Sequence, residues 1–554
     1  MGGTMRNQWE LARIVVKDFG PIAKANIVLK PLTIFFGKNN TGKTYMGYLA
    51  WYLANREYLA RLRANIFHST EFNAVSKKIE HIIKSLNPLQ HSKRFPLKQF
   101  KYAGHFGFSP KVLVSRTDLY KLFNFPMNYR KILIEYYPPF KVEIGIRIME
   151  TISSQESLLE RTFPPNSSNV PKNLIPVMGF GKVQKDQHTS KKNSLAVGVN
   201  ESIKPFEFEV VVFRKKDKYN RYYACITVRS SVLRDDKTIK EIARGLLREV
   251  STVHIRQIFR NSIFIPASKS GFILVSKHLA SQLVVRALSG SSIFIEDEDI
   301  AVSRYSEESD LNLPSPIVDF IRKDPAFSDS YSDKPTAYFR SIWRFLENEL
   351  IKGHLEYNRI LNTIRYRPFL DKNVSLPLQY SSSLVDEASP LLLYLKYSRF
   401  VEPKTLLIIE EPEAHLHPDA QRVLARALVK LVNRGVYVVL ITHSPYILQQ
   451  INNNIKLYYL KKAGKEKELK EFLKNHGWEK DEILDPSKVA PYLFDNNEGY
   501  TKIRELEIFR DEGISSEAFY YTIIELLKET EELTELLSGS SERGNGEEYD
   551  PEDS

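Results

Sequence analysis

The octapeptide GKNNTGKT, Gly37 to Thr44, constrains this chain more than any other stretch. It follows the buried-strand pattern LTIFF and leads into an apolar helical pattern from about Thr44, so the chain reads strand, loop, helix. Gly37, Lys38, Asn39, Asn40, Thr41, Gly42, Lys43 and Thr44 satisfy every position of G-x-x-x-x-G-K-[ST]. The glycines let the backbone curl until its N–H groups and the helix N-terminus face an anion. Lys43 is then placed to meet the β- and γ-phosphates of a nucleotide, and the Thr44 hydroxyl to bind Mg²⁺. The competing reading is a glycine-rich structural turn before a helix.

A phosphate loop of this kind needs a second half: a carboxylate that orients the metal and a group that positions or deprotonates water, both at a strand end beside the loop. The stretch LLIIEEPEAHLHP, Leu406 to Pro418, supplies a buried-strand pattern that ends on two acids. Side chains alternate along a strand, so adjacent residues can divide the labour. Glu410 is assigned to the Mg²⁺ shell and Glu411 to the general base. His415 and His417 stand two residues apart in a turn, unlike the i, i+4 pairs of helical zinc sites. After a helix from Asp419 to about Asn433, closed by Gly435, comes the strand pattern VYVVLIT and then His443. A further short helix and a strand IKLYYL are expected beyond it.

These motifs together resemble the Walker A, Walker B and switch-histidine segments of ABC-type ATPases. The branch is that of the structural-maintenance-of-chromosomes (SMC) proteins, RecF and the OLD (overcoming lysogenization defect) ATPases. The N-terminal IVVKDFGPI and IVLKPLTIFFGKNNTGKT are similar to the opening strands of that branch, and FIPASKSGF, LNLPSPIVDFI and LPLQYSSSLVDEASPLLLYL resemble its OLD-like members. The resemblance implies an α/β P-loop NTPase fold with an ABC-ATPase-like mixed sheet and a large inserted α/β and helical region. It implies ATP and Mg²⁺ as cofactors, with Lys43, Glu411 and His443 as catalytic residues, His443 acting as sensor of the γ-phosphate and water. It also implies a homodimer closed around two nucleotides, with Ser382 and Ser383 as the signature motif that reaches the partner's ATP. Leu384 stands where a glycine is usual, and the strand SIFIPASKS lacks the glutamine that lines the metal, Gln257 lying too early. The resemblance also implies that His415 and His417 fall in the D-loop, at the dimer seam.

Composition sets the remaining bounds. A single cysteine among 554 residues leaves no role for disulfides. No signal peptide opens the chain and no run of about 18 apolar residues occurs, so a cytoplasmic protein with no membrane partner is expected. Seventy-nine Lys and Arg against 67 Asp and Glu, a net charge of +12, favour acidic partners. Between Lys84 and Lys141 eleven basic residues meet two acids, interleaved with Phe95, Phe100, Tyr102, Phe106 and Phe108. That mixture can serve nucleic-acid phosphates and bases, or be a solvated insertion around a small aromatic core.

The expected organisation is the first part of the ATPase domain at 9–64, a basic insertion at 65–205, a β-rich part of the ATPase domain at 206–273 and a helical subdomain at 274–370. The second part of the ATPase domain occupies 371–530, and a disordered acidic tail 531–554. The chain after IKLYYL carries no stretch resembling the nuclease domain of OLD enzymes, so any nuclease or other effector is expected to be a separate protein. The function expected is an ATPase that dimerises on ATP and drives or gates DNA repair or antiviral defence. The alternative is a nucleotide-gated scaffold with weak hydrolysis; a small-molecule kinase and a transporter subunit fit the motifs less well.

Overall fold

In the computed structural model the described residues are 9–55, 70–85, 101–108, 110–124, 126–137, 140–149, 174–179, 208–215, 221–229, 236–269, 271–272, 313–325, 328, 330–332, 334–361, 363–497, 499–515 and 521–541. The chain opens with the hairpin β1 (Ala12–Phe19) and β2 (Ile22–Leu29), then β3 (Leu32–Gly37), the loop and α1 (Lys43–Ala54). Next come α2 (Thr70–Ser85), β4 (Lys101–Phe108), β5 (Lys111–Leu113), α3 (Arg116–Phe123), β6 (Lys131–Tyr136), β7 (Phe140–Met149), β8 (Leu174–Gly179), β9 (Phe208–Lys215) and β10 (Arg221–Arg229). The long helix α4 (Asp236–Ile258) leads to β11 (Asn261–Ile265), and α5 (Ser315–Arg322) and α6 (Arg340–Phe345) precede β12 (Gly353–Asn358), β13 (Thr363–Pro368) and β14 (Leu376–Pro377). The second half is α7 (Ser383–Lys396), β15 (Thr405–Glu410), α8 (Pro418–Asn433), β16 (Tyr437–Thr442), α9 (Pro445–Lys462) and α10 (Glu466–Asn475). It closes with β17 (Val489–Asn497), β18 (Tyr500–Glu505), the short pair β19 (Ile508–Phe509) and β20 (Gly513–Ile514), and α11 (Tyr521–Ser541).

The expected mixed α/β fold is present. A ten-stranded sheet runs β11-β15-β16-β3-β17-β18-β2-β1-β6-β5. Its first five strands are parallel neighbours, and antiparallel pairs enter from β17–β18 onward. Parallel strands covered on both faces must be apolar throughout, which is why LTIFF, TLLII and VVLI carry no alternation. Ile408, Ile441 and Phe35 face one core with α1 and α4, while Ile409, Leu440 and Ile34 face the other with α7, α8 and α9. Register sets Glu410 opposite Ile441 and Thr442 opposite Phe36, so the loops leaving these strands emerge side by side at the carboxyl edge, where open parallel sheets bind ligands.

Several expectations change. IKLYYL, Ile455 to Leu460, is helical within α9, because Ile447, Ile451 and Ile455 repeat every four residues and carry one buried stripe. The sheet position beside β3 is filled instead by β17. The region 274–370, expected as a helical subdomain, includes a β12–β13 hairpin in which buried Leu355 and Tyr357 alternate with exposed His354 and Asn358, a period of two. Residues 273–312 lie outside the described residues. The boundaries of the insertion also shift, since β5 and β6 pair on to β1 at the edge of the main sheet. A second sheet, β4-β7-β10-β9-β8, draws β9 and β10 out of the region expected in the ATPase domain, because β10 is paired on one side with β7 and on the other with β9. Phe95 and Phe100 lie outside the described residues, and Tyr102, Phe106 and Phe108 lie on β4. The tail expected to be disordered from 531 is helical to Ser541, with residues 542–554 outside the described residues. No described helix is long and apolar enough to cross a membrane.

Candidate active site

The loop closes on itself around Lys43. Its ammonium donates to the carbonyls of Gly37 at 2.9 Å and Lys38 at 2.5 Å and reaches the Thr41 hydroxyl at 3.3 Å. Gly37 holds φ +138, and a Cβ there would stand 2.0 Å from the Phe494 carbonyl oxygen, so only glycine lets β3 turn out of the sheet against β17. Gly42 at φ +84 ends the loop and caps α1 in the left-handed region. Buried Met46, Leu49, Trp51 and Leu53 then fix α1 against the sheet.

Across the strand edge, the Thr44 hydroxyl donates to Glu410 Oε1, joining residues 366 positions apart. The other oxygen of Glu410 accepts from the Ala267 N–H at 3.4 Å, in the loop after β11. That loop is where a metal-lining glutamine is absent from the sequence, and a backbone donor stands there instead. Gln257 lies at the end of α4, where its carbonyl accepts from Lys404. Glu411 turns out of the sheet at φ +42, in the left-handed region, with its N–H on the Ile441 carbonyl at 2.8 Å. A non-glycine residue held there stores strain that the surrounding structure must support. Its carboxylate Oε1 lies 3.4 Å from His443 Nε2. Lys38, Asn39, Glu411, Glu413, Ala414 and His443 line one open pocket.

Glu413 is the residue that motif reading missed. It accepts from the His443 N–H at 2.6 Å and from the Thr442 hydroxyl at 2.8 Å, and so fastens the turn after β15 to the end of β16. The signal was in EEPE, where a third acid follows the pair two residues on. His415 and His417 are exposed; His417 is the N-cap of α8, its Nδ1 3.4 Å from the Asp419 N–H. The described residues place neither histidine in the pocket. Ser382 caps α7 and Ser383 opens it, both exposed. Among the described residues neither shares a hydrogen bond with the loop or the carboxylates. Leu384 packs on the apolar cluster beneath α7, so its side chain is turned toward the core.

Burial dominates the titration of the site. It lowers the Lys43 ammonium to about 8, against the attraction of Glu411, Glu410 and Glu413. It raises Glu410 above the ordinary carboxylate range, against the Thr44 hydroxyl and the Ala267 N–H, and raises Glu413 likewise. Burial and the Lys43 charge hold His443 below its ordinary value, leaving it neutral at neutral pH. A desolvated carboxylate beside a hydroxyl, and a buried ammonium curled on to backbone carbonyls, form a site short of both a cation and an anion. The residues therefore fit a nucleotide with its divalent metal: Gly37 to Thr44 on phosphate, Thr44 and Glu410 on the metal.

A pH dependence follows from Lys43. Phosphates stabilise its charged form, so the bound-state value lies above the free-state value of about 8, and binding above that pH takes up a proton. ATP affinity is expected to fall by about tenfold per pH unit from about 8 upward. Calorimetric titration at about pH 7.5 and about pH 9.5 checks this; Lys43→Met should flatten the profile, and an unchanging wild-type affinity contradicts the assignment.

Comparison with known proteins adds to this geometry. Residues 294–448 match a family model described as an AAA ATPase domain, a stretch that takes in Glu410, Glu411 and His443 and begins after the phosphate loop. No curated protein matches the chain. Among solved structures, the chain is similar to an SMC head bound to the C-terminal winged-helix domain of ScpA, at 10% identity and a TM-score of 0.31, covering 91% of this chain and 99% of that one. It is also similar to the SMC head domain from Thermotoga maritima (10% identity, TM-score 0.28, 90% and 100% covered). A third is the Smc head with an extended coiled coil bound to the C-terminal domain of ScpA from Pyrococcus furiosus (10%, 0.29, 94% and 99%). The stretch that carries both carboxylates and the histidine is thus the stretch that resembles an ATPase domain.

Proposed function

We propose that this chain is an ABC-type ATPase of the SMC, RecF and OLD-like branch that binds ATP and Mg²⁺ at Gly37–Thr44 and Glu410, dimerises on ATP, and drives or gates a DNA-related process through a separate effector. The observation that carries this reading is the Thr44–Glu410 contact, which joins the phosphate loop to the strand-end carboxylate at a single point. The match of residues 294–448 to an ATPase domain supports it independently.

Thr44 and Glu410 would hold Mg²⁺, which when bound would neutralise phosphate charge. Lys43 leaves the Gly37 and Lys38 carbonyls and turns its charge to those phosphates. Glu411, held over the pocket by its left-handed turn, takes the proton of the attacking water. His443, neutral and 3.4 Å from Glu411, orients that water, and Glu413 keeps His443 in place by its backbone and by Thr442. Ser382 and Ser383, exposed at the start of a 14-residue helix, are the groups offered to the nucleotide of a second copy. Leu384 packs on the apolar cluster beneath α7, which supports this reading of the two serines. The positive net charge supports a nucleic-acid partner.

Light scattering with ATP and Mg²⁺, together with phosphate release measured with and without duplex DNA, single-stranded DNA and RNA, tests the proposal. Nucleotide-dependent doubling of mass with turnover raised by one nucleic acid is expected. Doubling without turnover favours the scaffold, and a monomer that hydrolyses ATP at an unchanged rate removes the dimer.

A further inference from the structure

Lys269 and Glu387 form an ion pair at 2.5 Å with both side chains only 4% exposed. A buried pair of this kind contributes little net stability, because desolvating two charges offsets their attraction, and matched apolar side chains commonly do as well. Its location gives it another use. Lys269 lies two residues after Ala267, whose N–H holds Glu410 Oε2 at 3.4 Å. Glu387 lies on α7 one turn beyond Ser383, on the same helix face. Ile409, Pro412 and Leu416, from the strand end and turn that carry Glu410 and Glu411, wall the same apolar cavity as the pair. Among the segments that meet there are the loop that backs Glu410, the turn that carries Glu411, and the helix that begins with the exposed serines.

We infer that Lys269 and Glu387 are positioning residues which fasten the serine-led helix to the loop that aims Glu410, so that the position of that helix sets how well the site holds its metal. The pair is the polar link between these segments in an otherwise apolar cavity wall, and charges that close tolerate little separation in a low dielectric. A shift of α7 draws Lys269, and with it the Ala267 N–H, relative to Glu410. Groups that orient a metal ligand commonly change metal affinity by about 10–100-fold when removed. This inference rests on the reading of Glu410 as the metal carboxylate.

The test is a Mg²⁺ titration of the binding of a fluorescent ATP analogue to the full chain, wild type and the Lys269→Met, Glu387→Met double variant. The double variant exchanges the pair for apolar groups and should melt close to wild type, whereas Lys269→Met alone, which removes the cation beside a buried carboxylate, should melt lower. Metal-free nucleotide affinity should be unchanged in the double variant, and its Mg²⁺ midpoint raised about tenfold. Lys269→Arg should keep the wild-type midpoint. A double variant with the wild-type midpoint overturns the inference alone, while a wild type whose nucleotide binding ignores Mg²⁺ overturns the assignment of Glu410 and the inference with it. Should the double variant fail to fold, Glu387→Gln serves, and a wild-type midpoint there overturns the inference equally.

Discussion

Glu411→Gln is expected to reduce ATP turnover by about 10²–10⁴-fold while leaving nucleotide binding intact. The amide keeps the size of the side chain and its reach to His443, 3.4 Å away, but cannot accept the proton of the attacking water. Lys43, Thr44 and Glu410, assigned above to phosphate and metal, are untouched by the change. ATP should therefore accumulate on the protein and hold the dimer closed, visible as a stable species of doubled mass on addition of ATP and Mg²⁺. Unaltered phosphate release would remove Glu411 from its role as base. Release slowed to the same degree with ATP no longer bound would show instead that Glu411 acts through binding.

Gly37→Ala should cost about 2–4 kcal/mol of folding stability and abolish ATP binding. The cost has two sources at one atom. A backbone at φ +138 disfavours any side chain, and the added Cβ would meet the Phe494 carbonyl oxygen at 2.0 Å. That oxygen belongs to β17, the parallel neighbour of β3, so relief requires the two strands to part where the loop begins. The Gly37 carbonyl, one of the acceptors that shape Lys43, moves with it. Chemical denaturation and nucleotide titration check both effects, and a variant that binds ATP with wild-type stability would show that the loop does not depend on this approach.

Local chemistry was legible in the sequence wherever spacing alone forces a conformation. GKNNTGKT between a strand and a helix, two acids at the end of an apolar run, and Thr-His after the next such run all come together at one edge of the sheet. Helix α8 was legible from Pro418 and Asp419 at one end and Gly435 at the other. What escaped was set beyond the short window in which each stretch was read. Ile455 to Leu460 reads as a strand by composition, and only the stripe begun by Ile447 and Ile451 shows it to be helix. The division between the two sheets turns on β10 pairing with β7 rather than with the main sheet, which no local pattern encodes. The Lys269–Glu387 pair joins residues far apart whose neighbours give no hint that either is buried.

The Thr44–Glu410 contact is the proposed metal site for ATP hydrolysis. Phosphate release by the wild type and by Thr44→Ala and Glu410→Gln, each across a Mg²⁺ titration, measures this. The predicted result is Mg²⁺-dependent turnover in the wild type that both substitutions abolish or shift to much higher Mg²⁺. Turnover independent of Mg²⁺, or unchanged by either substitution, would contradict it.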